Sequence, residues 1–201
     1  MIHKIALILT LLYVISNQLF AQDALYVNPE SNIIEGSFIE PYTNKWQVSI
    51  NDTNGNKSTV RIWTDYAQIL EIDGVDYLHR VQDLYSSNLE LEETWINIVS
   101  HHDLFPKRFT SQNASGGLLN IKFEAGKLTI KSNAESQKFD PEIVNLSQPV
   151  YDWNLYGMLL VGLPFNEGKV YRIPYWSQST RSVDYVVTTI NEKETIKTLS
   201  G

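Results

Sequence analysis

The stretch Leu118-Leu119-Asn120-Ile121-Lys122-Phe123-Glu124-Ala125-Gly126-Lys127-Leu128-Thr129-Ile130-Lys131 alternates with a period of two. Leu119, Ile121 and Phe123 point one way, and Asn120, Lys122 and Glu124 the other. Ala125-Gly126 interrupts the run, after which Leu128 and Ile130 resume the apolar side between Lys127, Thr129 and Lys131. Successive side chains of a strand face opposite sides of a sheet, so this is the pattern of two half-buried strands. Glycine permits the positive φ that a tight hairpin turn needs. A β-hairpin is therefore expected, with one greasy face.

The same period extends outward. Trp46, Val48 and Ile50 alternate with Lys45, Gln47 and Ser49, and Asn51–Asn56 is a turn cluster containing Asn54-Gly55. Further strands are expected over Ser58–Tyr66, Ala67–Ile72, Tyr77–Tyr85 after an Asp73-Gly74 turn, Glu92–His101 and Phe105–Ser111. Three more are expected over Lys169–Trp176, Arg181–Ile190 and Lys193–Leu199. Residues Gln22–Asn44 read as an extended lead-in with one short strand near Ile33-Ile34. Only Asp152–Leu163 departs from the pattern: Asp152 is a suitable N-cap, and Trp153, Tyr156, Leu159, Leu160 and Leu163 fit helical spacing. Leu155, Met158 and Val161 fill the opposite side, so the helix must be buried or lie under a sheet, and Pro164 ends it. The expectation is a mainly β fold: a curved antiparallel sheet or half-open barrel with one short buried helix at about 152–163.

The chain begins Met1-Ile2-His3-Lys4, continues with an apolar run Ile5–Ile15, and reaches Leu19-Phe20-Ala21. This order of charge, apolar stretch and small residue is that of a secretory signal peptide spanning 1–21, with cleavage after Ala21. The apolar run is too short for the roughly 20 residues of a membrane-spanning helix, so no stable anchor is expected after cleavage. Residues 22–201 then form one domain, which has no Cys and must be held by burial alone. Export without disulfides fits a periplasmic or secreted protein of a Gram-negative-like cell. The net charge is −7 and the basic residues are scattered, which argues against nucleic acid as a partner.

The segment Asp152-Trp153-Asn154-Leu155-Tyr156-Gly157-Met158-Leu159-Leu160, followed by Leu163-Pro164-Phe165-Asn166-Glu167-Gly168-Lys169-Val170-Tyr171-Arg172-Ile173-Pro174, resembles a known pattern. Exported Gram-negative envelope proteins of domain-of-unknown-function family 3108 carry such an apolar helix, a leucine-proline corner and then a strand. Strands like Val183–Ile190 and Glu194–Leu199 follow in that family, and Leu104-Phe105-Pro106, Lys122-Phe123 and Lys127-Leu128 are also similar to it. The resemblance covers the last half of the mature chain. It implies a half-open antiparallel barrel of the lipoprotein-carrier kind, with a helix across its mouth. The family runs on through one more strand after a Gly such as Gly201, so either the last strand pairs with an earlier one or the sequence stops one strand short.

Candidate chemistry is sparse. His101-His102-Asp103 places neighbours on opposite faces of a strand and lacks the three or four ligands of a usual metal site, so no metal is expected. Asp52-Thr53-Asn54-Gly55-Asn56 and Asp73-Gly74-Val75-Asp76 are explained by turn chemistry rather than calcium. Glu90, Glu92, Glu93 and Asp83 could supply the two carboxylates of a hydrolase only across a cleft. No nucleophile elbow, P-loop or dinucleotide fingerprint occurs, so no catalytic residue and no cofactor is expected.

The aromatics are the informative feature: five Trp, and eleven Tyr of which all but Tyr13 follow Ala21. They either pack the core and rim or face a ligand, stacking on sugar rings or lining an apolar groove. The leading expectation is a non-catalytic envelope protein that binds a hydrophobic or lipid-like small molecule in a groove of the sheet. Trp153, Tyr156, Leu160, Tyr171, Tyr175 and Trp176 are its expected lining. The alternatives are an interaction module that pairs with another envelope protein through its final strand, Glu192–Gly201, and a hydrolase using carboxylates.

Overall fold

The computed structural model describes residues 24–51, 53–54, 57–133 and 140–192. The expected signal peptide and the expected strand Lys193–Leu199 lie outside them. Eight strands follow one another as an open antiparallel meander: β2 (Tyr42–Asn51), β3 (Lys57–Ile72), β4 (Val75–Ser86), β5 (Leu91–Ser100), β6 (Pro106–Asn113), β7 (Leu118–Glu124), β8 (Lys127–Asn133) and β9 (Glu142–Asn145). Each pairs with its sequence neighbour, and β2 and β9 do not meet. The sheet is half-open rather than a barrel. Register shifts at Val48/Ser49, Leu84/Tyr85 and Ile98/Val99 place bulges in the β2–β3, β4–β5 and β5–β6 pairs, which increases local twist and bends the strands.

The hairpin of β7 and β8 forms as its alternation requires. Ile121 faces Ile130 and Phe123 faces Leu128, all four are buried, and Gly126 turns the chain at φ +70°. Asp73 and Gly74, both at positive φ, make the tight turn between β3 and β4.

The remaining strands form a smaller sheet. β1 (Leu25–Tyr26) and β10 (Tyr151–Asp152) lie parallel to β11 (Val170–Ser177), and β12 (Ser182–Thr189) pairs with it antiparallel. After β10 the chain makes a 3-10 turn, Trp153–Leu155, and then one short helix, α1 (Tyr156–Val161). Leu155, Met158, Leu159 and Leu163 are buried with Tyr171 and Ile173 of β11 and with Ala67, Leu78 and Val99 of the large sheet. A second cluster holds Phe109, Ile121, Phe123, Leu128 and Ile130 against Val150 and Trp176.

The structure departs from expectation in several elements. Ser58–Tyr66 and Ala67–Ile72 are one continuous strand, because no turn-forming residue separates Tyr66 from Ala67 and both neighbours pair across that point. Ile33-Ile34 is not a strand, although Ile34 is buried; the short lead-in strand is β1 instead, and β9 and β10 are additional. The helix is shorter than 152–163, and its apolar circumference divides into a buried face and an exposed one carrying Trp153, Tyr156 and Val161. No helix among the described residues is long and apolar enough to cross a membrane.

Candidate functional site

Strand pairing fixes which residues share the inner face of the large sheet, the face on which α1 lies. From Trp63 the face runs through Asp65, Ala67 and Ile69 on β3, Leu84, Gln82, Arg80 and Leu78 on β4, and Glu93, Trp95, Asn97 and Val99 on β5. One end of this face is apolar core. Its middle is polar, and its other end carries tryptophan.

Asp65 and Arg80 form the polar centre. Both are largely buried, with Arg80 Nε 2.9 Å from Asp65 Oδ1 and Nη2 2.5 Å from Oδ2. Such a two-pronged pair matches a planar guanidinium to a planar carboxylate. Tyr42 Oη donates to Asp65 Oδ1 at 3.2 Å and Gln82 Nε2 to Oδ2 at 3.3 Å. Burial works against the Arg80 charge, but Asp65 and Tyr42 together outweigh it and hold the guanidinium above its usual range. Burial pushes the Tyr42 hydroxyl up to about 12, so it stays protonated and remains a donor.

A second polar group joins the sheet to the helix. Arg80 Nη1 donates to the Asn154 carbonyl at 2.9 Å, and Asn97 donates to Asp152 Oδ2 at 2.7 Å while accepting from Asn154 Nδ2 at 2.8 Å. Asp152 also caps the 3-10 turn by accepting from Asn154 N at 3.2 Å, as its position before the apolar run predicts. Burial raises the Asp152 carboxyl to about 6, against the opposing pull of those two bonds and of Arg80.

Two cavities flank the start of the helix and share Trp153 and Tyr156. One, of about 250 Å³, is lined by Asp152, Trp153, Tyr156, Leu159, Ile173, Tyr175 and Val186, and is apolar apart from Asp152 and the Tyr hydroxyls. The other, of about 360 Å³, opens over the sheet. Its walls are Trp46, Trp63, Trp95, Trp153 and Tyr156, and its floor is Asp65, Arg80 and Gln82. Trp95 stands at the centre, 6.2 Å from the Trp63 ring and 6.0 Å edge-on from Trp153. It also meets Phe109 at 6.4 Å, which ties this wall to the second core.

Of the expected groove residues, Trp153, Tyr156 and Tyr175 converge on the smaller cavity. Leu160 packs against the first core, and Tyr171 lies within it, its hydroxyl donating to the Pro164 carbonyl. Trp176 is buried in the second core, its indole N–H donating to Gln178. Asp65, Arg80, Gln82 and Asn97 belong to no motif in the sequence. Their signal was available: on β3 to β5 they occupy the inward phase shared with Ala67, Leu78 and Val99, where an apolar residue is the rule.

The other candidates resolve into local structure. His101 is buried with Nε2 3.0 Å from the Ile39 carbonyl, whereas His102 is exposed beside Glu35. Asp83 accepts from Thr94, Glu93 from Ser111, and Glu92 pairs with Arg61. Among the described residues, no group of three or more His, Cys, Asp or Glu side chains is placed to hold a metal ion.

The family described as protein of unknown function (DUF3108) matches residues 45–201, reaching well upstream of the segments that carried the resemblance. No curated protein and no solved structure matches the chain.

Proposed function

The chain belongs to the DUF3108 family, and on that footing we propose that it is a non-catalytic protein of the extracytoplasmic space that holds a hydrophobic or lipid-like ligand beside α1. The observation that carries this reading is the apolar cavity between α1 and β11–β12, with half-exposed Trp153 and Tyr156 at its rim. An aromatic rim of this kind leaves apolar area in water, a cost that ligand burial offsets. The proposed location outside the cytoplasm rests on the pattern of residues 1–21 and on the lack of Cys. The non-catalytic reading is supported by Asp83, Glu92, Glu93 and Asp65, whose carboxylates are engaged in hydrogen bonds and ion pairs across the sheet.

Native mass spectrometry of protein purified from its own host is the direct test. A bound apolar adduct is expected, together with a tryptophan fluorescence response to fatty acid. Tyr156→Ala should weaken that response about tenfold, the loss of one aromatic contact. A clean unliganded mass with no response to fatty acid or detergent would overturn the proposal.

A further inference from the structure

We infer that the larger cavity takes a neutral pyranose ring, so that the ligand of the neighbouring apolar cavity carries a sugar headgroup. This rests on the groove reading proposed above. Three features of the cavity point to a sugar.

Its walls are mainly indole rings. Trp46 and Trp63 lie directly opposite each other on β2 and β3, and Trp95 and Trp153 complete the enclosure. A pyranose presents apolar C–H faces that stack on such rings, and hydroxyls around its edge that need donors and acceptors in the same plane. An alkyl chain would fit the walls but would offer no hydrogen-bonding group to Arg80, Asp65 or Gln82.

Two of the lining residues carry an unmet acceptor and an unmet donor. Gln82 is 3% exposed, and its Nε2 is occupied by Asp65, yet its Oε1 has no partner. Trp63 Nε1 is likewise buried and unpaired. Unpaired buried groups cost about 1–3 kcal/mol each, so a pair left in one cavity points to a ligand able both to donate and to accept. Hydroxyls do both. Each atom is covered by neighbouring side chains, so a ligand has to displace part of the rim to meet them. That rim is Trp46, 53% exposed, and Trp153, 48% exposed.

The floor is electrically neutral. An aromatic box attracts cationic headgroups such as quaternary ammonium, but Arg80 already sits in this box, paired with Asp65. No carboxylate of the floor remains to receive a cation.

Three probes separate the sources and the two cavities: dodecyl maltoside, dodecyl octaethylene glycol ether (each below its micelle concentration), and free maltose. Calorimetry and tryptophan fluorescence report binding to the intact chain. The glycoside should bind at least about tenfold tighter than the ether, the contribution of a few additional hydrogen bonds and stacking contacts. Gln82→Leu should bring the glycoside down to the affinity of the ether, and Trp46→Ala, at an exposed rim where folding is not at stake, should weaken the glycoside about tenfold. Maltose binding as tightly as the glycoside would support the sugar cavity with a free saccharide as its source. Equal affinity for glycoside and ether would overturn the sugar inference and leave the apolar groove standing. Failure of all three to bind would overturn both.

Discussion

Asp65 and Arg80 sit where a sheet of this size would ordinarily place leucine. Each is stabilised by the other through a two-pronged ion pair. Removing one partner of a buried pair strands the other, at a cost of about 3–5 kcal/mol. Asp65→Ala should therefore lower unfolding stability in urea by that amount, whereas Asp65→Leu combined with Arg80→Met should recover most of it. A loss under about 1 kcal/mol for Asp65→Ala would show that Arg80 finds water instead. Neighbouring acids tell a simpler story: Asp83 and Glu93 are consumed by Thr94 and Ser111 on adjacent strands.

The segment from β10 into α1 is anchored by Asp152, whose carboxyl titrates at about 6 instead of its ordinary 3.8. Because that value is raised, between about pH 4 and pH 6 the folded protein holds a proton the unfolded chain has lost. Its contribution to stability is full below pH 4, falls as pH rises, and is gone above about 6. Subtracting the stability profile of Asp152→Asn from that of the parent should isolate this decline; a flat difference would refute it. Asn still caps a helical turn, so the comparison preserves the element. The lead-in is anchored differently. Glu35 N bonds the Gly162 carbonyl and Gly36 N the His102 carbonyl at 2.7 Å. A Cβ on Gly36 would stand 2.4 Å from the His101 carbonyl oxygen, a backbone atom that cannot swing aside. Gly36→Ala should cost about 1–3 kcal/mol, read as a lower melting temperature.

Across the whole molecule the two cores share strands. Val150 belongs to the second cluster and Tyr151 to the first, while Ile173 and Trp176 of β11 divide the same way. Neither core can open without pulling on a strand that serves the other, so unfolding should be one transition. Leu128→Ala and Leu159→Ala, one in each core, should each cost about 2–5 kcal/mol and shift the entire transition monitored by far-ultraviolet circular dichroism. Two separated steps in either variant would contradict this coupling.

Much of the architecture was readable because its causes are local. Alternation set the strands of the large sheet, Ala125-Gly126 and Asp73-Gly74 set two of its turns, and Asp152 before an apolar run set the helix start. The family resemblance came from the same kind of apolar and turn residues. What tertiary structure alone decided was the use of the inner face. Asp65 is tolerated inside because Arg80, Gln82 and Tyr42 bond it, and Arg80 and Asn97 because residues as distant as Asn154 and Asp152 come back to bond them. Likewise, whether Tyr156 or Tyr171 faces a cavity depends on how α1 lies against two sheets. Period and turn chemistry are properties of neighbouring residues, whereas satisfying a buried charge requires partners that only the folded chain brings within reach.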